Sequence, residues 1–319
     1  MSRLRIAVII LAGILLSLLA GCITVKVSLF EEPGPLEEQT VSGFGRDKVL
    51  LLDISGVILE RPHRLWGGLT GVASPARIKE ELEKAGRDDR IKALVVLINS
   101  PGGTVTGADV VLHELQKFKQ DRRVPLVVCL QGLATSGGYY VAQAGDVIMA
   151  YPTCLTGSIG VLAMKLNVQK LLDKVGVDPE TVKTGPWKDF WSPFRPSSPE
   201  EKAMMQAVID NYYQGFLEVV AQGRRMDLNQ VRQAADGRLF TARQALKMKL
   251  VDKLGYPDDA VALAQSLAGL ERATVVRYRR PGSHRPTIYS LGAMLSDLDM
   301  AAPQFLYLWA AGESLTGAF

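Results

Sequence analysis

A single serine, Ser136, stands in the glycine-rich turn QGLATSGGYYVAQAGD (131–146), after the apolar run PLVVCL (125–130) and before a short stretch with room for one or two helical turns. A hydroxyl at a strand-to-helix junction has two uses. It can cap the helix by accepting from a free backbone N–H, or it can attack a carbonyl as a nucleophile. A second glycine-rich turn, INSPGGTVTGAD (98–109), also follows an apolar run and precedes a helical pattern. Such junctions carry backbone N–H groups without intrahelical partners, reinforced by the helix dipole, and these can hold a developing oxyanion. Glycines let a substrate carbonyl approach the backbone. Gly103 and Gly137 are the natural pair of donors.

A nucleophilic serine needs a base. The histidines are His63, His113 and His284, of which only His284 follows Ser136, in a basic, proline-flanked segment. That context does not suit a triad in which acid and histidine follow an AxSxG elbow. A lysine can serve instead if it is desolvated and held neutral. Lys188 in GPWKDFW is the lysine set among aromatic residues, with Trp187 before it and Phe190 and Trp191 behind. The same composition suits a surface lysine lying over a ring. The neighbouring Asp189 would favour the charged form unless its carboxylate is engaged elsewhere, so composition leaves Lys188 a candidate.

The elements that must position these residues alternate. Apolar runs at 49–54, 93–98, 126–130 and 147–150 predict strands, and helical patterns fall at 74–86, 106–119 and 136–144. Continuous apolar strands alternating with helices indicate an α/β domain whose strands are covered on both faces. A helix over 166–175, a strand-like TVKTG (181–185) and an irregular aromatic loop (186–198) come next. Ser198 as cap, Pro199 at the first position and Glu200 and Glu201 in the first turn then predict a helix to about Val220. Two short helices are expected at 228–235 and 241–249.

Composition sets the frame. The 319 residues, 47% hydrophobic and 22% charged, suit one large globular domain or two ordinary ones. The net charge of +4 falls to +2 without Arg3 and Arg5, too little to indicate nucleic acid. The basic run RYRRPGSHR (277–285) reads as a solvated surface segment. Residues 1–21 read as an export signal, with two arginines, an apolar run over 6–20, and LAGC ending at Cys22. The run is shorter than the roughly 20 residues that span a bilayer comfortably. LAGC resembles the lipobox of bacterial lipoproteins, with Cys22 lipidated; an uncleaved signal anchor is the alternative. Either ties the folded part to a membrane outside the cytoplasm.

Residues 22–47, acidic and containing proline and glycine, are expected to be a linker, 48–275 the folded domain, and 276–319 an extension. The apolar PQFLYLWAA within that extension would dock on its own domain or a neighbour. Cys129 and Cys154 read as small buried thiols; a disulfide is permitted but not demanded. Cys and His show no metal-ligand spacing, and no cofactor is expected.

NSPGG, TSGGYY, TGSIG and GPWKD, in this order and joined by DNYYQGF and ADGRLFTARQA, resemble the signal peptide peptidase (SppA, protease IV-like) family of serine peptidases over about residues 48–256. The resemblance implies an α/β fold of stacked ββα units shared by Clp-type proteases and crotonases, with a Ser/Lys dyad. By motif, Ser136 is then the nucleophile, Lys188 the general base, Ser158 the residue that orients the lysine amine, and the N–H groups of Gly103 and Gly137 the oxyanion hole. The single copy of the motifs resembles the short form, whose members assemble into rings or domes, commonly of eight subunits, with serine and lysine meeting across an interface. Substrates would be hydrophobic peptides such as cleaved signal peptides. Two rival readings use the same fold: a crotonase-type acyl-thioester enzyme, for which an envelope location is wrong, and a non-catalytic lipoprotein.

Overall fold

The computed structural model describes residues 34–60 and 72–280 and the backbone of a strand at 305–308. Cys22, His63, His284 and the expected export signal lie outside the described residues. Among the described residues no helix is long and apolar enough to cross a membrane.

A mostly parallel sheet forms the centre. Strands β2 (Lys48–Ser55), β5 (Ile91–Ser100), β7 (Leu126–Thr135) and β8 (Val147–Ala150) lie side by side and parallel. Their apolar runs are continuous because both faces are covered. One face carries Leu50, Leu52, Leu94, Val96, Leu126 and Val128 in a core shared with α1 (Pro75–Gly86), α2 (Val105–Arg122), α3 (Gly137–Ala142) and α5 (Pro199–Arg224). The alternate residues Val49, Leu51, Val95, Leu97, Val127 and Cys129 face the other way, against Ala260, Val261 and Ala264 of α8 (Pro257–Leu267). Each fully buried aliphatic side chain contributes about 1.5–3 kcal/mol, so this two-sided sheet is the rigid base on which its strand ends, and hence the turns, are set.

The remaining strands extend the sheet. On one side β13 (Thr274–Arg279) pairs parallel with β2, and β1 (Glu37–Gly43) antiparallel with β13. On the other, β12 (Lys253–Leu254) pairs parallel with β8. The far end of β7 leaves β8 and pairs with β9 (Leu155–Gly157), itself flanked by β11 (Leu239–Thr241). A second sheet runs in the order β10 (Leu162–Ala163), β14 (Phe305–Leu308), β6 (Gly102–Thr104), β3 (Val57–Ile58) and β4 (Val72–Ala73). The short helices α4 (Gln169–Val175), α6 (Leu228–Ala234) and α7 (Ala242–Lys247) complete the chain.

Several expectations are corrected. The stretch expected as a linker folds at 37–43 into the edge strand β1. The domain boundary expected at 275/276 falls inside β13, and the basic run read as a surface segment begins within that strand. There Val275, Val276 and Tyr278 are buried while the arginines alternate with them. TVKTG is not a strand: Val182 is 93% exposed, and a strand without a partner has no ladder to hold it. The helix expected from 166 begins only at Gln169.

Candidate active site

Ser136 is placed by the ends of two strands and the start of a helix. The parallel ladder brings Ser100 opposite Ala134, Asn99 Oδ1 accepts from the Leu133 N–H at 3.1 Å, and the Thr135 hydroxyl donates to the Pro101 carbonyl at 3.2 Å. These bonds hold the SPGG and TSGG turns together. On the other side Thr135 pairs with Gly157, the Ser136 N–H donates to the Gly157 carbonyl at 2.8 Å, and the Thr156 hydroxyl donates to the Ala134 carbonyl at 2.6 Å. The structure thus brings Ser136, Gly137, Gly103 and Ser158 into one locality.

The junction is strained. Ser136 is buried with φ 51° and ψ −117°, a region that residues with a side chain rarely occupy. The helix-cap reading is not realised, since the Ser136 hydroxyl makes no capping hydrogen bond. Thr104 and Ser198 do cap their helices, with φ near −70° and ψ near 150–165° that aims the side chain at the first turn. The backbone of Ser136 turns its side chain out of that position. Ser158 has a similar φ of 50°, is buried, and is anchored by its N–H donating to the Arg238 carbonyl at 2.8 Å. At Gly103 a Cβ would lie 1.9 Å from the Ile58 carbonyl oxygen, so no other residue fits beside β3. The two tyrosines after the glycines pack the site from behind. Tyr139 donates to the Leu250 carbonyl, and Tyr140 donates to Asp109 and meets Phe216 edge-on.

Lys188 lies in a different setting. It is exposed, in a turn where its N–H donates to the Gly185 carbonyl, and among the described residues no hydrogen bond or ion pair joins it to Ser136 or Ser158. The Asp189 carboxylate beside it is engaged elsewhere. Arg195 holds both of its oxygens at 2.8 and 2.9 Å, and Lys183 donates to one of them at 2.6 Å. Hydrogen bonds from Arg195 and then Lys183 keep the Asp189 carboxyl well below the usual carboxylate range. Arg195 also donates to Glu201, whose carboxylate caps α5 through the Ser198 N–H. Lys165, lowered by desolvation, lies 5.6 Å from the Trp191 ring centre and donates to the Arg195 carbonyl and to Ser197. Trp191 itself sits at φ 63°. Sequence reasoning missed this network, although Lys183, Asp189, Arg195 and Glu201 alternate in sign at intervals of six residues.

His113 lies exposed on α2 and lines a polar cleft of about 640 Å³ with Asp109, Gln143 and Arg224, to which Ser136 does not contribute. Cys129 and Cys154 are free and buried, and burial pushes each thiol up to about 12, so both are unreactive at neutral pH.

Comparison with known proteins decides the class. The model of peptidase family S49 matches residues 118–271. A protein of Enterococcus faecium to which signal peptide peptidase activity is ascribed is 34% identical over 248 residues, covering 76% of this chain and 70% of its own. The chain belongs to peptidase family S49. Protease 4 of Salmonella typhi is 36% identical over 206 residues, 65% of this chain and 32% of that one. The chloroplastic serine protease SPPA of Arabidopsis thaliana is 29% identical over 263 residues, 80% of this chain and 38% of that one. This S49 member is therefore a serine-type peptidase with the Clp/crotonase-like α/β fold expected from its motifs. The matched region contains Ser136, Ser158 and Lys188, whereas Gly103 lies before it.

Proposed function

We propose that this serine peptidase is a membrane-tied endopeptidase that cleaves extended hydrophobic peptides, cleaved signal peptides among them, with a Ser136/Lys188 dyad. The observation that carries the reading is Ser136 itself, held at a strained φ between two glycine-rich turns with its hydroxyl not spent on capping. Neutral Lys188 takes the Ser136 proton as Oγ attacks the peptide carbonyl, and the N–H groups of Gly103 and Gly137 receive the oxyanion. Ser158 orients the lysine amine. Lys188 then protonates the leaving amine, and water releases the acyl group.

An extended substrate is supported by the chain's own tail. The backbone of β14 pairs antiparallel with β6, Tyr307 opposite Gly103, and on its other edge with β10, Leu306 opposite Leu162. A peptide adding a strand at that place would run past the Gly103 donor with its main chain held on both sides.

Assembly is supported by the surface around Lys188. No residue from 160 to 200 is buried, and Leu171, Val175, Val177, Val182 and Trp187 are each about half or more exposed. Five large exposed apolar side chains within one segment suit a surface that a partner covers. A second copy of the chain, in an eight-membered ring or dome, covers it, desolvates Lys188 and brings it to a neighbour's Ser136. A lipid on Cys22, or a signal anchor, ties the assembly to the bacterial envelope with its catalytic part outside the cytoplasm. The reading requires no cofactor and no nucleic acid. Incubating the protein with an unstructured hydrophobic peptide beside Ser136→Ala and Lys188→Ala tests it; equal cleavage by all three removes the dyad.

A further inference from the structure

Lys188 must be neutral to take a proton, yet Asp189 follows it directly, and a free carboxylate there would favour the ammonium. Both Asp189 oxygens are occupied, by Arg195 at 2.8 and 2.9 Å and by Lys183 at 2.6 Å. The same guanidinium donates to the Asp189 carbonyl at 3.2 Å, the Pro196 carbonyl at 3.2 Å and Glu201 Oε2 at 2.9 Å. Glu201 is 2% exposed and closes the capping box of α5 with Ser198, so it is a fixed post. Behind the loop, Lys165 lies beside the Trp191 ring and bonds the Arg195 carbonyl. Trp191 holds φ 63°, and its indole N–H has no hydrogen-bond partner among the described residues. Strained backbone persists where its surroundings over-determine it. A loop with no buried residue is nevertheless tied down at 183, 189 and 195, and through Arg195 to the buried Glu201.

We propose that Arg195 is a positioning residue for the base: together with Lys183 it neutralises the Asp189 carboxylate next to Lys188, and it anchors the base loop to the N-terminus of α5. The proposal rests on Lys188 being the base. The charged groups of the cluster are Lys183, Asp189, Arg195 and Glu201, which sum to zero; Lys165 borders it through Glu201 and Arg195, and Lys202 lies beyond, next to Lys165. Removing Arg195 leaves the cluster at −1, and a negative neighbour stabilises the ammonium. Removing Asp189 leaves it at +1 and does the opposite. A role confined to holding the loop in shape would change the rate without moving its pH dependence.

The test is the pH profile of kcat/KM for a fluorogenic hydrophobic peptide with the full-length protein. Arg195→Gln is expected to move the acid limb to higher pH by about one unit, and Asp189→Asn to move it lower by a smaller amount. Arg195→Gln combined with Asp189→Asn should return it to the wild-type position. A uniform loss of rate with the limb unmoved in all three overturns the clamp and leaves the dyad standing. Should Arg195→Gln not fold, as its melting curve would show, Asp189→Asn alone decides: an unmoved limb overturns the proposal. A wild type without an acid limb, or full activity in Lys188→Ala, removes the dyad reading and the proposal with it.

Discussion

From Leu126 to Ala144 every residue except Gly132 and Leu133 is buried, whereas from 160 to 200 none is. The first stretch holds the proposed nucleophile and the second the proposed base, so the two halves of one reaction are built on opposite principles. Ser136 is set by the sheet: ladder pairs, Asn99, Thr135 and the carbonyl of Gly157 determine where its hydroxyl goes. Lys188 is set by charge, through Asp189, Arg195 and Glu201, on a loop that takes nothing from the core. A nucleophile needs position to within a fraction of an ångström, which packing supplies. A lysine base needs removal from water, which an exposed loop obtains only when something else covers it.

The sharpest way to break this contrast is to remove each half. Ser136→Ala and Lys188→Ala should each lower kcat/KM on the order of 10⁴-fold or more, measured by peptide release. Their effects on folding should be small, Lys188 being exposed. Lys188→Arg should be as inactive as Lys188→Ala, because a guanidinium does not deprotonate. Activity surviving in Lys188→Ala would end the pairing of the two regions.

Charging the exposed face probes the cover. Leu171→Asp with Val182→Asp should leave the melting temperature of the protomer nearly unchanged, because both side chains are exposed. The proposed assembly should dissociate by light scattering, and activity should fall about 10- to 100-fold, as loss of central interface contacts does elsewhere. A fully active monomer would show that the loop completes its site within one chain.

On the buried side the penalty falls on folding. Gly103→Ala puts a methyl 1.9 Å from the Ile58 carbonyl oxygen and should cost about 1–3 kcal/mol in urea unfolding. A smaller effect is expected from the tail. Ending the chain at residue 300 removes β14 and leaves its place between β6 and β10 open to an added peptide, so KM for a short peptide should fall a few-fold while kcat holds. An unchanged KM would separate that strand position from the substrate path.

The sheet and most of the helices were legible because Val49, Leu51, Val95 and their neighbours form continuous apolar runs, which only strands covered on both faces require. The aromatic loop was legible as irregular, and Ser136 as a nucleophile candidate, from local pattern alone. The edge pairing of β1 with β13 was not, since its partners are more than 200 residues apart in sequence and Glu37, Glu38 and Gln39 look like linker. Helix α8 went unread although Pro257, Asp258 and Asp259 open it as Pro199, Glu200 and Glu201 open α5; it lacks the Ser or Thr cap that announced α5, Tyr256 standing there instead. TVKTG misled in the other direction: β-branched residues favour a strand only where a partner and a covered face exist. The strained φ at Ser136 and Ser158 leaves no trace in composition, since serine is an ordinary choice for a turn.

That strain has a consequence for how position 136 tolerates change. Its φ of 51° with ψ −117° lies in a region where glycine is at ease and serine is not, at a cost of about 1–3 kcal/mol. Replacing the side chain by hydrogen would relax the fold and, with Ser136 as the proposed nucleophile, silence the enzyme in the same step. Selection for stability and selection for activity therefore pull on this one hydroxyl in opposite directions, and any S49 relative freed from hydrolysis would have a thermodynamic reason to lose it first.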